Sequence, residues 1–391
     1  MIPNTASPFL GGLVFRILRA LGVQDEALVR LRRASALLLP LITWLPLFVL
    51  SGAGGKLLAG SVATPFLLDL SAHIRLLVAL PLFLIGARVA EVRLLPTIHQ
   101  FLTRRLIPEK LVDKFDGAVN SAFRLGDSVI IDILIIVAVY VLDTLVVWRA
   151  YAAPHEASWY AGSSAQGSPL TPAGIYYAYL SLPVFQFILF RWYVRLLLWA
   201  RFLAQVARLD LQLVPTNPDR VGGLGFLISG TQAFAVFVMA HGALLAGWLA
   251  ARVVVRGIPL TDFKGETIAV VAFVLCITIA PLAVFTPPLM RTKRRGILEY
   301  GALATRYARE FDGKWVHPTT DAGEPLVGSA DIQSLADMGG SYDIVAGMRN
   351  VPITPQMVLG FAAATLVPVA PLLLTLMPLS EILNKLVGVL F

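Results

Sequence analysis

Two aspartates, Asp132 and Asp143, lie inside a long apolar stretch and are the side chains best placed for chemistry within a membrane. They are eleven residues apart, about three helical turns, so a helix would place both on one face. A charged group at mid-bilayer costs about 2.5–3.5 kcal/mol on insertion scales and usually faces a partner or water. Two interpretations stay open, a polar pathway or structural ion pairs between helices, and the candidate partners are Arg191, Arg195 and His241.

A second candidate site is the turn at residues 215–220 and the glycine-rich stretch that follows it. The pattern predicts a helix start, with Asn217 as the cap and Pro218 in the first helical position. Free backbone N–H groups at such a start could bind an anion or a lipid headgroup. The candidate residues are Asn217, Asp219, Arg220, Gly222, Gly223 and Gly225. The alternative is that Asp219 caps its own helix, Arg220 binds lipid phosphate and the glycines allow close packing.

The composition is that of a membrane protein. The 391 residues are 57% hydrophobic and 14% charged, whereas soluble domains carry about 25% charged residues. A mean hydropathy of +0.76 leaves no room for a large soluble domain. The net charge of +8 sits beside apolar stretches, which is a topology signal rather than a nucleic-acid-binding surface.

Seven apolar stretches predict an all-α, polytopic transmembrane helix bundle of about seven spans with cytoplasmic amphipathic helices. The predicted spans are residues 34–55, 72–91, 128–148, 172–190, 221–251, 267–290 and 357–377. The uncharged run in the second span is too short to cross the membrane by itself. The span crosses only if the side chains of His73, Arg75 and Arg88 at its ends reach the headgroups.

The spans divide the chain into four regions. An N-terminal cytoplasmic or interfacial segment at 1–33 precedes a six-span bundle at 34–290, which includes cytoplasmic helices at 88–127. A cytoplasmic subdomain follows at 291–353, and we expect it to be irregular from residue 317 to residue 340 apart from a short helix capped by Ser329. The seventh span and an amphipathic tail complete the chain at 354–391.

The distribution of positive charge predicts the orientation. With seven spans, 25 of the 32 lysines and arginines fall on one side of the membrane and seven on the other. Since positive residues accumulate on the cytoplasmic side, the N-terminus is predicted to be cytoplasmic and the C-terminus to be periplasmic.

Motifs for metals, cofactors and catalysis were sought among the reactive residue types. The single cysteine, Cys276, and the five histidines match no metal-ligand spacing. The glycines after residue 220 follow no predicted strand and include no GK[ST] sequence, so they predict no nucleotide site. An intramembrane enzyme is the least supported class, because no motif of a known membrane hydrolase is present. The sequence thus predicts no metal, no cofactor and no catalytic residue.

Two stretches resemble a family of uncharacterised bacterial multi-pass inner-membrane proteins. They are Pro215–Leu227, which reads PTNPDRVGGLGFL, and Gly328–Asp337, which reads GSADIQSLAD. The similarity extends from about residue 30 to the end of the chain. It implies a bacterial cytoplasmic membrane and nothing about a substrate.

Two functions from different classes remain. Proline-broken spans and intramembrane aspartates favour a channel or transporter for a small ion or solute, because broken helices are how membrane folds form ion sites. The alternative is a membrane scaffold or accessory protein that binds a partner through its cytoplasmic face. Membrane lipids are the predicted partners, a homo-oligomer stays open, and nucleic acid is not predicted.

The orientation can be tested with a reporter enzyme that is active only outside the cytoplasm. We expect activity when it is fused after Phe391 and silence when it is fused after Gly328, because the charge bias places these positions on opposite sides. The measurement is reporter activity normalised to the amount of fusion protein. Activity after Gly328 would contradict the assignment.

Overall fold

The protein is helical throughout the part described by the computed structural model, residues 25–143, 158–162, 170–318, 323 and 325–375. We number the helices α1 (Asp25–Ala53), α2 (Leu70–Thr103), α3 (Val112–Gly126), α4 (Val129–Leu142), α5 (Pro172–Ala207), α6 (Phe226–Val253), α7 (Lys264–Ile279), α8 (Thr286–Phe311), α9 (Ala330–Ala346) and α10 (Pro355–Leu366). These residues contain isolated β-bridges but no β-strand. The predicted all-α class is confirmed.

The helices are those of a polytopic membrane protein. Six stretches of the described chain are long and apolar enough to cross a membrane: Ala34–Ala53, Leu70–Thr103, Pro172–Ala207, Phe226–Val253, Leu260–Val316 and Pro355–Thr375. Of the third predicted span, residues 128–148, the structure describes residues 128–143, which include the 14 residues of α4. Together with the preceding helix, from which it is bent by 45°, it makes a candidate seventh span.

Three of these helical stretches are longer than a bilayer is thick. They contain 34, 36 and 57 residues for α2, α5 and the run 260–316, or about 50, 54 and 85 Å at 1.5 Å per residue. A hydrocarbon core is about 30 Å thick. The surplus length lies at the arginine-rich end and, with α3 and α9, forms what we call the basic layer (residues 88–126, 191–225 and 291–350).

The basic layer corrects two expectations. Residues 88–103 do not form a separate amphipathic helix, because α2 continues through Pro96 without a break, as membrane helices often do. The region expected to be largely irregular contains the 17-residue helix α9, which includes Gly339 and Gly340. Packing of α9 against α8 outweighs the low helix propensity of the two glycines. The predicted cap is confirmed, since Ser329 Oγ accepts a bond from the Asp331 N–H at 3.1 Å.

Several spans depart from regular α-helix within the membrane. Wider π-helical turns occupy Arg75–Ala79 in α2 and Tyr177–Ser181 in α5. The Arg75 guanidinium donates to the Tyr177 hydroxyl and joins these two segments. Tighter 3-10 turns lie at Gln232–Phe234, Ala280–Phe285 and Val367–Thr375. Such irregular turns are frequent at functional positions.

Helix α6 is the centre of the bundle. In its most apolar window 72% of residues are buried, against 22% to 39% in the other five candidate spans. It reaches α10 at Gly242, where a Cβ atom would lie 2.0 Å from the Thr365 carbonyl oxygen. Gly242, Ala246 and Ala250 follow one another at intervals of four residues and are all buried, which is the small-residue spacing that lets membrane helices approach closely.

Three parts of the prediction lie outside the described residues. They are the N-terminal segment before residue 25, the end of the third span at residues 144–148, and the chain after residue 375 with the amphipathic tail.

The contact between α6 and α10 makes a prediction for stability. Gly242→Ala forces the two backbones apart, because its Cβ would overlap the Thr365 carbonyl. We expect a loss of about 1–3 kcal/mol, the usual cost of overpacking a tight core. The matched control is Gly360→Ala on α10, where no atom lies within 4 Å of the new Cβ. Equal melting temperatures for the two variants in detergent would contradict the close contact.

Candidate functional site

One helix, α5, collects the buried polar groups of the membrane region. Gln186 Nε2 donates to Asp143 Oδ1 at 2.8 Å. An Arg191 Nη1 atom lies 2.9 Å from Asp132 Oδ1. These bonds join α5 to α4, so both aspartates face the same neighbouring helix, as their spacing predicts.

The pair of Asp132 and Arg191 is a buried ion pair between helices. The Asp132 side chain is 1% exposed and that of Arg191 is 14% exposed. A second guanidinium nitrogen, Arg191 Nη2, donates to the Gly126 carbonyl at 3.1 Å. This carbonyl belongs to the last residue of α3, so one arginine fixes the bend between α3 and α4 as well as the packing of α5.

Arg195 lies one turn further along α5 and is also buried. Its guanidinium carbon sits 4.4 Å from the centre of the Trp192 ring, a cation–π contact. Glu91 on α2 and Arg191 are both within electrostatic range. The cluster of Glu91, Asp132, Arg191 and Arg195 thus contains two acidic and two basic side chains.

His241 on α6 bonds to α5 but to neither aspartate. Its Nδ1 lies 3.0 Å from the Phe237 carbonyl oxygen, and its Nε2 lies 3.0 Å from the Tyr193 hydroxyl. Since a carbonyl only accepts, Nδ1 carries the proton and Nε2 accepts from Tyr193. The ring is neutral in this arrangement and fastens α6 to α5.

The two aspartates are thus chemically different. Asp132 has a cation beside it, whereas Asp143 is 4% exposed and meets the neutral amide of Gln186. Of the partners expected from the sequence, Arg191 forms an ion pair with Asp132, whereas His241 bonds to Phe237 and Tyr193. Sequence reasoning missed Gln186 and Tyr193, although Gln186 is the one amide in the apolar stretch 172–190.

A further polar cluster lies at the opposite end of the bundle from the basic layer. Asp69 Oδ2 accepts from the Trp159 indole at 3.0 Å, and the Trp44 indole donates to His73 Nδ1 at 2.8 Å. With the bond from Arg75 to Tyr177, this cluster ties α1, α2 and α5 to the loop at 158–161. From the sequence, His73 and Arg75 are expected only to reach the headgroups.

The turn at residues 215–225 has a different structure from the predicted helix start. The helix begins at Phe226, so neither Asn217 nor Pro218 starts it. The Asp219 carboxylate instead accepts backbone N–H bonds from Val221, Gly223 and Gly225 at 2.8, 3.1 and 2.8 Å. A bound anion would need these same N–H groups, but the Asp219 carboxylate of the protein already accepts their hydrogen bonds.

Positive φ angles shape the same turn. They occur at Arg220, Gly222 and Gly223, with values of 55°, 65° and 100°. Asn217 Oδ1 accepts from the Asp219 N–H at 3.1 Å, which tightens the preceding turn. The glycines are needed because a side chain at positive φ is strained.

The turn also fastens the parts of the basic layer to each other. The Arg349 N–H donates to the Arg220 carbonyl at 2.7 Å, and Arg349 Nη2 donates to the Asp219 carbonyl at 3.1 Å. Lys293 Nζ donates to the Met348 carbonyl at 2.7 Å. Helices α8 and α9 are therefore held against the bundle by backbone carbonyls of this turn and of the segment after α9.

Comparisons with known proteins found no matching family model, no matching curated protein and no matching solved structure. The resemblance of the two sequence motifs to bacterial inner-membrane proteins stays a prediction.

The Asp219 turn predicts a stability effect. Asp219→Asn replaces one acceptor oxygen by an N–H₂ group that faces backbone donors, so we expect a loss of about 1–3 kcal/mol. The control is Asp262→Asn, an exposed acid outside this turn. Thermal unfolding in detergent measures both variants. A melting temperature for Asp219→Asn equal to that of the control would contradict the role of the carboxylate.

Proposed function

We propose that this protein is a channel or transporter for a small ion or solute in the bacterial cytoplasmic membrane, with a cytoplasmic N-terminus and a periplasmic C-terminus. The observation that carries the proposal is Asp143, a buried carboxyl group in a membrane helix to which no cation bonds among the described residues. An ionisable residue in a membrane span is costly and marks ion or proton routes more often than packing.

The contrast with Asp132 supports this reading. A purely structural carboxyl group in a membrane is expected to be neutralised, as Asp132 is by Arg191 at 2.9 Å. Asp143 lies at the same interface between α4 and α5, where an arginine on α5 could have neutralised it in the same way. Its partner is an amide, which accommodates both a charged and a protonated carboxyl group.

Irregular helices lie close to this position. Tyr177–Ser181 is the π-helical segment of α5, only five residues before Gln186 along the chain. Through Arg75 and Tyr177 it is joined to the π-helical segment of α2. Wider turns of this kind can change register at low cost, which suits a helix that opens and closes a route.

A second candidate function rests on the basic layer. The hairpin of α8 and α9 exposes large apolar side chains, with Leu298 74% and Val327 88% exposed. Lys314 Nζ and the Trp315 indole bond to Asp331 Oδ2 at 2.8 and 2.9 Å, and these two bonds hold the pKa of Asp331 below its usual value. A rigid, partly apolar surface outside the bilayer fits a scaffold that docks a partner protein.

Flux measurements decide between the two functions. Purified protein is placed in liposomes, and the fluxes of H⁺, Na⁺, K⁺ and Cl⁻ are followed under imposed gradients against protein-free liposomes. We expect at least one flux to exceed the protein-free rate, and Asp143→Asn to change that rate or its pH dependence several-fold. The Asn side chain has the same size and still bonds to Gln186, so the fold is kept.

The matched control neutralises the other aspartate together with its partner, as Asp132→Asn/Arg191→Gln. This variant removes both charges of the ion pair and leaves none stranded. We expect its flux to resemble that of the unmodified protein. Fluxes equal to protein-free liposomes for all four ions would contradict the transport function and favour the scaffold.

A further inference from the structure

The pair of Asp143 and Gln186 has more acceptor atoms than donors. Gln186 Nε2 donates to Asp143 Oδ1 at 2.8 Å. The other two oxygens, Asp143 Oδ2 and Gln186 Oε1, are buried and have no hydrogen-bond partner among the described residues. A buried acceptor without a donor is rare in folded proteins and calls for an explanation.

Among the described residues, no positively charged side chain bonds to Asp143. On its own helix the nearest titratable group is Tyr140, whose hydroxyl donates to the Tyr179 carbonyl on α5 at 3.1 Å. On α5 the nearest charged side chain along the chain is Arg191, which is paired with Asp132. An ionised carboxylate at this buried position would depend on one neutral amide donor among the described residues.

A single proton removes the mismatch. When Oδ2 is protonated, its O–H can donate to Gln186 Oε1 while Gln186 Nε2 donates to Asp143 Oδ1. This is the reciprocal pair of a carboxylic acid with a primary amide, in which all four polar atoms of the two groups are used. Only the terminal torsions of the two side chains need to adjust, and these torsions are soft.

We propose that Asp143 and Gln186 form a proton-binding site inside the membrane, occupied by a proton in the conformation described here. Binding forms the Oδ2–H bond with a proton from hydronium on one side of the membrane and leaves water behind. Release returns the proton to water and breaks the bond to Gln186 Oε1. No electrons are transferred, and no other reactant is needed.

The ion involved in the transport proposed above is then the proton, either as the transported species or as the coupling ion. That step rests on the proposed function, whereas proton binding by Asp143 does not. Ion-paired Asp132 is excluded from the same role because its proton would displace Arg191.

Infrared spectroscopy of the purified protein tests the site directly, because a protonated carboxyl group has a C=O stretch distinct from that of a carboxylate. We expect a carboxylic-acid band at neutral pH that shifts in D₂O. The band should be lost in Asp143→Asn and kept in Asp132→Asn/Arg191→Gln. A spectrum of Asp143→Asn identical to that of the unmodified protein in this region would overturn the proposal.

A second variant covers the case in which Asp143→Asn does not fold. Gln186→Leu removes the reciprocal partner and leaves the acid in place. Its carboxylic-acid band should move to higher frequency, since the C=O group loses the bond from Nε2. An unmoved band would show that the acid belongs to another residue.

The transport function and the proton-binding site can each be contradicted without contradicting the other. An Asp143 band without flux of any of the four ions would keep the proton site and contradict transport. Flux without an Asp143 band would keep transport and contradict the proton site.

Discussion

A hydrocarbon layer offers no hydrogen bonds, and this constraint governs the whole structure. Every polar group that enters the layer must find its partner on another part of the chain. In this protein the partners lie mostly on α5, which bonds to Asp132 and Asp143 of α4 and to His241 of α6. The helices are positioned by these few polar contacts, and apolar and small-residue packing fills the space between them.

The polar contacts differ in what they permit. The buried ion pair of Asp132 with Arg191, where the membrane region meets the basic layer, cannot lose one charge without leaving the other buried and unpaired. A neutral pair such as His241 with Tyr193 fixes one tautomer and is fully bonded. The pair of Asp143 and Gln186 is the exception among these three, because its hydrogen bonding improves when a proton is added. Among the site residues predicted from the sequence, Asp143 is therefore the one whose contacts fit a functional role.

The basic layer obeys the same rule outside the membrane. Asp219 satisfies three backbone N–H groups that the glycine-rich turn would otherwise expose. The backbone carbonyls of Asp219 and Arg220 in the same turn accept hydrogen bonds from Arg349. The anion or lipid site that the sequence predicts at this turn would have to use Arg220 alone or displace Asp219.

The sequence predicted what depends on local composition. Long apolar stretches predicted the spans, and the spacing of Asp132 and Asp143 predicted a shared face. It could not predict which neutral residues complete the polar pairs, because Gln186 and Tyr193 acquire their roles only when α4, α5 and α6 are placed side by side. The same holds for α9, whose glycines discourage a helix until α8 supports it.

The claim on which the account depends is that the two aspartates of α4 differ in kind, and a pair of double-mutant cycles measures this directly. In detergent, Asp132→Asn and Arg191→Gln should each lower the free energy of unfolding by about 3–5 kcal/mol, as expected for breaking a buried ion pair. The double variant should recover much of that loss. The cycle of Asp143→Asn with Gln186→Leu should show smaller single losses and weak coupling, because no charge is stranded. Equal coupling energies in the two cycles would contradict the account.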